Sequence, residues 1–385
     1  MMNKIVCLST SCYHPFPTRK QHVMNRINSE EILYFDPPVT YLAPLKDKSA
    51  WKRLFMYRKP GEKGMRDNMT VYATPPILPF FNKVRFINKL NQRKIARFVR
   101  KKMKLHGFEN PILWCYSPNS ADAAPLIPHS ALVYDCVDRH SAYKGLINED
   151  VVNTLERDLS KQANTVFATA IGLYDTLSEY NENAVMLPNG VNFEHFNRAA
   201  NEKFDVPEEL AGLKHPIIGF VGMLQECIDY GKIELIAKER PEWEIVLIGK
   251  ALPGVNLDYL KQYKNIHFLG MKKYDDLPAY IQNFDVCLNV FRDGNLSKDV
   301  SPLKFYEYLA TGKPVVSTPQ PEQVLGYSDS VYIAYGESDF IAKCETAMSE
   351  PDDEKTNLRI TYARACSWDA RVREMEEILA GNGVK

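Results

Sequence analysis

The chain has 385 residues, 45% of them hydrophobic, so it is long enough and apolar enough for two packed domains. Its 48 Lys and Arg balance its 48 Asp and Glu, which argues against a nucleic-acid-binding protein because such proteins carry a basic excess. The eight cysteines include no C-x-x-C pair and no zinc spacing with histidine. We therefore expect a reducing compartment and no disulfide framework.

The amino-terminal segment fits a buried first strand better than a targeting signal. Its apolar run is too short for a secretory signal, and no segment of the chain reaches the roughly 18 apolar residues of a membrane span. The sequence predicts a cytoplasmic protein, with peripheral attachment to the inner membrane face as the alternative.

The first half alternates short apolar strands with helical patterns. The predicted strands are 4–9, 32–35, 112–116, 132–136, 165–168 and 184–187, and the predicted helices include 86–105 and 151–162. This alternation is typical of βαβ units and predicts a parallel sheet. Residues 49–69 are basic and poorly periodic, so we expect a loop that is either an ordinary surface insertion or an acceptor contact.

The pattern breaks into a polar stretch at 199–215, which we predict to be the domain boundary. The resulting division is 1–198, 199–366 and a terminal helix within 367–385 that returns to the first domain. The second half then has predicted strands at 216–222, 244–249, 265–270, 286–290 and 314–317, and predicted helices at 233–239, 277–283 and 302–311.

Three of these later strands end in glycine, at Gly222, Gly249 and Gly270. Each glycine alone could serve only a tight turn. Three of them on successive strands favour an edge where the backbone comes close to a ligand.

The helix predicted at 302–311 follows from local rules. Ser301 is a favourable N-cap, Pro302 suits the first helical position, and Gly312 fits a C-terminal cap. The helix is apolar nearly all round, which indicates that it is buried.

Glu307 lies in the middle of this helix and needs a partner, because an unpaired buried charge is expensive. One interpretation is an ion pair with Lys304, one turn earlier. The other is that Glu307 accepts hydrogen bonds from the vicinal hydroxyls of a ligand, while the free amides of Leu303 and Lys304 face a phosphate. The residues alone favour neither.

Asp299 and Glu307 are eight residues apart, and a Leu-Ala-Thr-Gly-Lys-Pro-Val-Val run follows at 309–316. This segment resembles the E-x7-E signature of retaining GT-B glycosyltransferases of the group 1 (family 4) class, with Asp replacing the first Glu. Further elements similar to that class lie at 187–196, 219–222, 248–249, 265–270, 276–280 and 367–368. The resemblance covers about 110–380, and residues 18–21 resemble a bacterial polysaccharide-assembly subset.

The resemblance implies an α/β fold of the GT-B type, with two Rossmann-like domains and a cleft between them. It also implies a retaining transfer of a sugar from a nucleotide-diphosphate sugar, UDP- or GDP-linked, to a glycan or lipid-linked acceptor in cell-surface polysaccharide synthesis. Because no Asp-x-Asp occurs in a metal-binding context, we expect no required metal, and no cofactor besides the substrate nucleotide-sugar.

By the same resemblance, Glu307 binds the ribose hydroxyls and Asp299 contacts the transferred sugar. The amides of Leu303 and Lys304 hold the diphosphate, and the backbone at 269–271 holds the base. The predicted donor-binding residues are Gly222, Gly249, Lys250, Leu269, Gly270, Met271, Lys298, Ser301, Pro302, Leu303, Lys304 and Glu307.

The sequence departs from that class in the residues expected to neutralise the leaving diphosphate. The class usually carries Arg and Lys after the first donor-domain strand, but residues 223–229 contain no cation. The candidates to replace them are Lys250, Arg292, Lys298, Lys304 and the Arg19/Lys20 pair. Lys298 and Lys304 are favoured because they flank the helix start, although Lys298 fits a solvated loop equally well.

In the first domain, Asp138 and His140 follow a strand end, where the class often has a group that faces the donor sugar. We predict both, with Asp299, as catalytic groups, although Asp138 could instead cap the next helix. The predicted acceptor-binding residues are Arg19, Lys20 and Tyr116.

Two other functions remain open: a nucleotide-sugar 2-epimerase of the same fold, and a non-catalytic nucleotide-sugar-binding component of an assembly complex. A dinucleotide-dependent oxidoreductase is disfavoured because no G-x-G-x-x-G follows the first strand of either half.

Overall fold

The computed structural model describes residues 3–15, 17–142, 145, 147–350 and 353–384, without the side chains of residues 46, 295 and 296. The chain divides into two compact units. Unit 1 comprises Met1–Pro188 with Val372–Lys385, and unit 2 comprises Asn189–Arg371. The predicted boundary at 198/199 lies ten residues further along, inside a helix at Phe193–Asn201.

Unit 1 contains an eight-stranded sheet of order β3-β4-β2-β1-β5-β6-β7-β8. Its strands are β1 (Ile5–Leu8), β2 (Ile32–Asp36), β3 (Glu62–Lys63), β4 (Met69–Ala73), β5 (Ile112–Cys115), β6 (Ala131–Cys136), β7 (Thr165–Ala168) and β8 (Ala184–Met186). All pair in parallel except β3, which pairs antiparallel with β4. The six apolar strands that the sequence predicts in this half are all present, each within a residue of its predicted ends.

Helices cover this sheet. They are α1 (Arg19–Met24), α2 (Ala43–Lys46), α3 (Ala50–Met56), α4 (Arg85–Leu105), α5 (Glu149–Gln162) and α6 (Ile171–Ser178). The prediction of a loop at 49–69 is wrong for its first part, which forms α3. Ala50 and Leu54 of that helix are buried while Trp51 and Phe55 are exposed, so its pattern is too short to stand out from the sequence.

Unit 2 contains a six-stranded parallel sheet of order β11-β10-β9-β12-β13-β14. Its strands are β9 (Ile217–Val221), β10 (Glu244–Ile248), β11 (Ile266–Gly270), β12 (Val286–Asn289), β13 (Val315–Ser317) and β14 (Tyr332–Ile333). Apolar clusters pack on both faces of this sheet, as a parallel sheet requires.

The remaining helices are α7 (Phe193–Asn201), α8 (Tyr230–Glu239), α9 (Leu277–Gln282), α10 (Asn295–Lys298), α11 (Leu303–Thr311), α12 (Glu337–Met348), α13 (Asp353–Ala365) and α14 (Trp368–Gly381). From Val372 onward, α14 belongs to unit 1. There the Asn382 side chain, just past the helix, donates a hydrogen bond to Thr165 of β7 at 2.9 Å.

These elements confirm the predicted α/β class, with two sheets of mainly parallel strands. The carboxyl ends of parallel strands share one edge of each sheet, which is where such folds bind ligands. All eight cysteines are free. Among the described residues, no helix combines the length and the apolar character needed to cross a bilayer.

Candidate functional site

Two contacts fix helix α11 to the rest of unit 2. The backbone amide of Val221, the last residue of β9, donates a hydrogen bond to Tyr308 Oη at 2.7 Å. At the carboxyl end of the helix, Gly312 adopts φ +72° as the C-terminal cap, and Arg359 Nε of α13 donates to its carbonyl at 2.9 Å. The predicted glycine cap is confirmed, and α11 is held against the carboxyl end of the central strand.

The amino terminus of α11 differs from the prediction. Pro302, not Ser301, is the N-cap residue, and no side chain caps the helix. Ser301 Oγ instead accepts a hydrogen bond from the Asn189 amide at 3.0 Å, and the Ser301 carbonyl accepts one from Asn189 Nδ2 at 2.8 Å. Ser301 therefore binds Asn189 and does not cap α11. The amides of Leu303 and Lys304 are the unpaired donors that begin any α-helix.

Lys304 extends from this first turn towards the end of β9. Its Nζ lies 4.4 Å from the ring centroid of Phe220 and 5.2 Å from that of Phe291. A β-carbon placed on Gly222 would stand 2.4 Å from Lys304 Cε and 2.9 Å from Nζ. Gly222 thus leaves room for the lysine, which brings its ammonium to the strand end whose following loop lacks a cation.

The Lys304 ammonium and the Glu307 carboxylate are both desolvated. Burial lowers the pKa of Lys304 to about 8 and raises the pKa of Glu307 to about 7, and in each case the attraction of the other group opposes the shift. Within the described part of the chain, neither group forms a hydrogen bond or an ion pair, so the predicted Lys304–Glu307 salt bridge is not made. Both side chains keep some solvent exposure, so a ligand can reach them.

The three strand-end glycines lie in a row. The Gly222 amide donates to the Ile248 carbonyl at 2.8 Å, and the Gly249 amide donates to the Gly270 carbonyl at 2.9 Å. A β-carbon on Gly249 would stand 1.9 Å from the Gly222 carbonyl oxygen, so packing alone requires this glycine. Gly270, at φ +67°, borders open space.

The other predicted donor-binding residues are more exposed. Lys250 is exposed, Leu269 is half-buried and Met271 is 53% exposed. Lys298 lies 3.5 Å from Glu322 in a solvent-exposed ion pair. Such pairs contribute little, so Lys298 behaves as a solvated lysine and Lys304 is the better candidate for an anion.

Asp299 ends α10 and is partly exposed, four residues before α11 begins. It therefore lies near the same helix terminus as Lys304. In the portion of the chain that the structure describes, no group of three or more His, Cys, Asp or Glu side chains could hold a metal ion.

Unit 1 contains a cavity of about 320 Å³ that is lined by both apolar and polar residues. The cavity is lined by Leu8, Ser9, Thr10, Lys20, Phe35, Asp36, Pro37, Pro38, Thr74, Ile77, Phe81, Asn82, Gln92, Ile95, Ser117, Asn119, Ser120, Asp138 and His140. Three predicted residues, Lys20, Asp138 and His140, thus lie around one cavity.

The titratable groups of this cavity are partly desolvated. Burial lowers the pKa of His140 to about 4, which keeps the ring neutral, and its Nε2 lies 3.2 Å from the Tyr116 carbonyl. A carbonyl can only accept, so Nε2 carries the proton. Lys20 is 8% exposed, and burial also lowers its pKa. Asp138 is exposed, and Asn148 rather than Asp138 caps α5.

Two of the predicted acceptor-binding residues, Arg19 and Tyr116, have side chains in the interior of unit 1, so their contact with an acceptor stays a prediction. Arg19 Nε pairs with Asp135 at 3.0 Å, with both side chains almost fully buried, and its Nη1 donates to the carbonyls of Leu187 and Pro188 at 3.1 Å. Tyr116 is also inaccessible. Arg19 joins α1 to the end of β6 and to the last residues of unit 1.

The sequence prediction missed Asn189. Its segment, 187–196, stands out as a motif, but the role of the side chain depends on Ser301, 112 residues away. The sequence prediction also missed Tyr308, whose hydroxyl accepts a hydrogen bond from the Val221 amide. Neither partner can be found from local spacing.

Comparison with known proteins identifies the part of the chain that carries α11. Residues 215–350 match the model of the glycosyl transferases group 1 family. The matched segment contains the three strand-end glycines, Lys304 and Glu307.

A relative extends the likeness beyond that segment. The chain is 27% identical over 285 residues to TuaH of Bacillus subtilis strain 168, a protein named for glycosyl transfer in teichuronic acid biosynthesis, covering 69% of this chain and 71% of TuaH. Glycosyltransferase activity is the function that these matches support.

Solved structures share the fold. Sucrose-phosphate synthase from Thermosynechococcus elongatus has a TM-score of 0.69 at 11% identity, covering 99% of both chains. Anabaena HepE in complex with UDP and glucose has a TM-score of 0.65 at 14% identity, again over 99% of both chains. At such low identity the likeness establishes the fold, which is of the GT-B type.

Proposed function

We propose that this chain transfers a sugar from a UDP- or GDP-linked donor to a glycan or lipid-linked acceptor in cell-surface polysaccharide synthesis. The group 1 match supports the transfer chemistry. The TuaH likeness supports a polysaccharide acceptor. HepE, a neighbour in fold, binds UDP and glucose, which supports a nucleotide-sugar donor.

The unpaired Lys304 ammonium at the head of α11 is the observation that carries this proposal. A cation next to free helix amides is a favourable environment for a diphosphate. In this chain Lys304 takes the place of the cations that residues 223–229 lack. It approaches the end of β9 from α11, through the space that Gly222 leaves open.

The remaining donor contacts follow from this placement. Glu307 lies one turn beyond Lys304 and, as a carboxylate, can accept both vicinal hydroxyls of a ribose. We assign the transferred sugar to Asp299 and the base to the open backbone around Gly270 and Met271. The α11 dipole stabilises the charge that develops on the leaving diphosphate.

Unit 1 supplies the acceptor side of the proposal. Its cavity offers apolar lining residues, the Lys20 ammonium and the polar groups of Asp138 and His140. Because His140 is neutral, its ring can hydrogen-bond an acceptor hydroxyl without placing a charge in the cavity. Retention of configuration, the absence of a required metal and a cytoplasmic location beside the inner membrane face complete the proposal; they are carried over from the sequence prediction.

The test is calorimetric titration of the full chain with UDP, GDP and uridine. Lys304→Met removes a charge-assisted contact, which should weaken binding of the preferred nucleoside diphosphate about 10- to 100-fold. Uridine binding should change little. Lys298→Met is the matched control, because it removes a lysine five residues before α11 that already has a partner. It should leave both affinities nearly unchanged.

Two further outcomes test the role of Lys304 and distinguish sugar transfer from epimerisation. Affinity for the diphosphate should decline as pH rises through about 8 in the wild type, where Lys304 loses its proton, but not in Lys304→Met. Equal losses in the two lysine variants would contradict the assignment. Conversion of a nucleotide-sugar into its 2-epimer without an acceptor would contradict sugar transfer and favour an epimerase.

A further inference from the structure

The charges of this neutral chain are unevenly distributed. Residues 46–104 contain 18 Lys and Arg but only three Asp and Glu, so the rest of the chain carries an acidic excess. All of these residues belong to unit 1. A local basic excess of this size attracts an anionic partner even though the whole molecule has no net charge.

Helix α4 presents much of this charge on one face. Its sequence contains no acidic residue, and its exposed side chains recur at intervals of three or four positions, which places them on one side of the helix. They are Phe86, Lys89, Leu90, Arg93, Arg97, Arg100, Lys101, Lys104 and Leu105. The opposite face packs into the core through Ile95, Val99 and Met103.

The neighbouring helices α2 and α3 expose large apolar side chains. Leu45 is 82% exposed, Trp51 57% and Phe55 52%. Trp51 and Phe55 are four residues apart, so they share one face of α3, with Lys52 beside them. Exposed apolar groups interleaved with Lys and Arg are typical of segments that lie in a membrane interface.

Side-chain contacts join these elements into one surface. The Tyr57 ring, just after α3, lies 6.2 Å from the Phe98 ring of α4. Lys94 of α4 lies 5.0 Å from the ring centroid of Tyr41, just before α2. The α2–α3 segment therefore flanks α4 beside its exposed face. We call the exposed side chains of α2, α3 and α4 the basic apolar surface.

The loop that leads into α4 adds a strained aromatic residue. Phe80 has φ +64°, a conformation that is uncommon for a bulky side chain, and it is 42% exposed. Its neighbours Ile77, Phe81 and Asn82 line the unit 1 cavity. The same loop thus borders both the cavity and the basic apolar surface.

We propose that the basic apolar surface docks unit 1 onto an anionic lipid membrane. Lys and Arg attract the headgroups, while Trp51, Phe55 and Leu45 enter the boundary between headgroups and acyl chains. A nucleic acid would match the charge but not the exposed apolar groups. Docking brings the cavity next to the membrane. This part of the inference rests on the proposed function, in which the cavity receives a lipid-linked acceptor.

Trp51 provides a specific probe. Of the four tryptophans, Trp51 is exposed while Trp114, Trp243 and Trp368 are at most 6% exposed. Vesicles of phosphatidylglycerol and phosphatidylcholine should shift the tryptophan emission of the full chain to the blue and carry the protein into the pellet. Pure phosphatidylcholine vesicles should do neither, and added salt should release the protein.

Paired variants test the two contributions. Arg93→Glu with Arg97→Glu should lower partitioning onto anionic vesicles at least about tenfold, because each Lys or Arg near an anionic surface adds to the free energy of membrane binding. The matched control is Lys203→Glu with Lys264→Glu, which makes the same charge change on exposed positions of unit 2 and should leave partitioning largely unchanged. Trp51→Phe should bind vesicles without the emission shift.

The proposal is overturned if anionic vesicles produce no emission shift, if both charge-reversal pairs bind equally, or if RNA binds while vesicles do not. Calorimetric binding of UDP by the same variants reports on unit 2. If the wild-type chain binds UDP but does not bind anionic vesicles, the docking surface is refuted and the donor assignment stands. In Arg93→Glu with Arg97→Glu, weakened vesicle binding with retained UDP binding is the expected result.

Discussion

Replacing Glu307 by Gln should stabilise the ligand-free protein in a pH-dependent manner. Burial raises the pKa of this carboxyl from 4.5 to about 7, which corresponds to at most about 3 kcal/mol against its charged form, since one pKa unit is 1.36 kcal/mol. Because the folded-state pKa is the higher one, this cost is absent below pH 4.5, grows between 4.5 and 7, and is complete above 7. Gln carries no charge, so the variant does not bear this desolvation cost.

The assay is urea unfolding followed by tryptophan fluorescence, at several pH values from about 5 to 8. We expect Glu307→Gln to gain about 2–3 kcal/mol at the upper end and little at the lower end, while its affinity for UDP or GDP falls. Glu322→Gln, at an exposed ion pair, is the control and should change stability little. A loss of stability at pH 8 would refute the reasoning, because it would mean that the carboxylate already has a partner inside the protein.

Two further substitutions test how unit 2 is built. Gly249→Ala should lower the free energy of unfolding by about 3 kcal/mol or more, because its β-carbon would strike the Gly222 carbonyl. Gly254→Ala is also at positive φ but borders open space, so it should cost only about 1–2 kcal/mol. Chemical denaturation measures both variants, and equal costs would contradict a steric role for Gly249. Asn189→Ala removes the side-chain hydrogen bond to Ser301 and should cost about 1–2 kcal/mol and weaken UDP binding; unchanged stability would show that this contact does not hold the start of α11.

The fold could be predicted largely because its information is local. Apolar runs mark the strands, and the alternation of strands with helices specifies the parallel sheets. The segment around α11 was found because Gly312 and Pro314 end a helix whatever surrounds it. The two-residue strands β3 and β14 and the seven-residue helix α3 were missed, since a few residues give too little periodicity.

The side-chain environments were predicted less well, because they depend on residues far along the chain. Arg19 has the charge of a ligand contact, but Asp135, 116 residues later, takes it into the interior. Ser301 has the sequence of an N-cap, yet Asn189 occupies its hydroxyl. For Lys304 and Glu307 the sequence left two interpretations, and only the geometry shows that the pair is not bonded to itself.

The most direct measurement is a crystal structure of the full chain with a nucleotide-diphosphate sugar. We expect the diphosphate within hydrogen-bond distance of Lys304 Nζ and of the first amides of α11, with the ribose hydroxyls on Glu307. A nucleotide bound elsewhere, with Lys304 still resting on the Phe220 ring, would contradict this expectation.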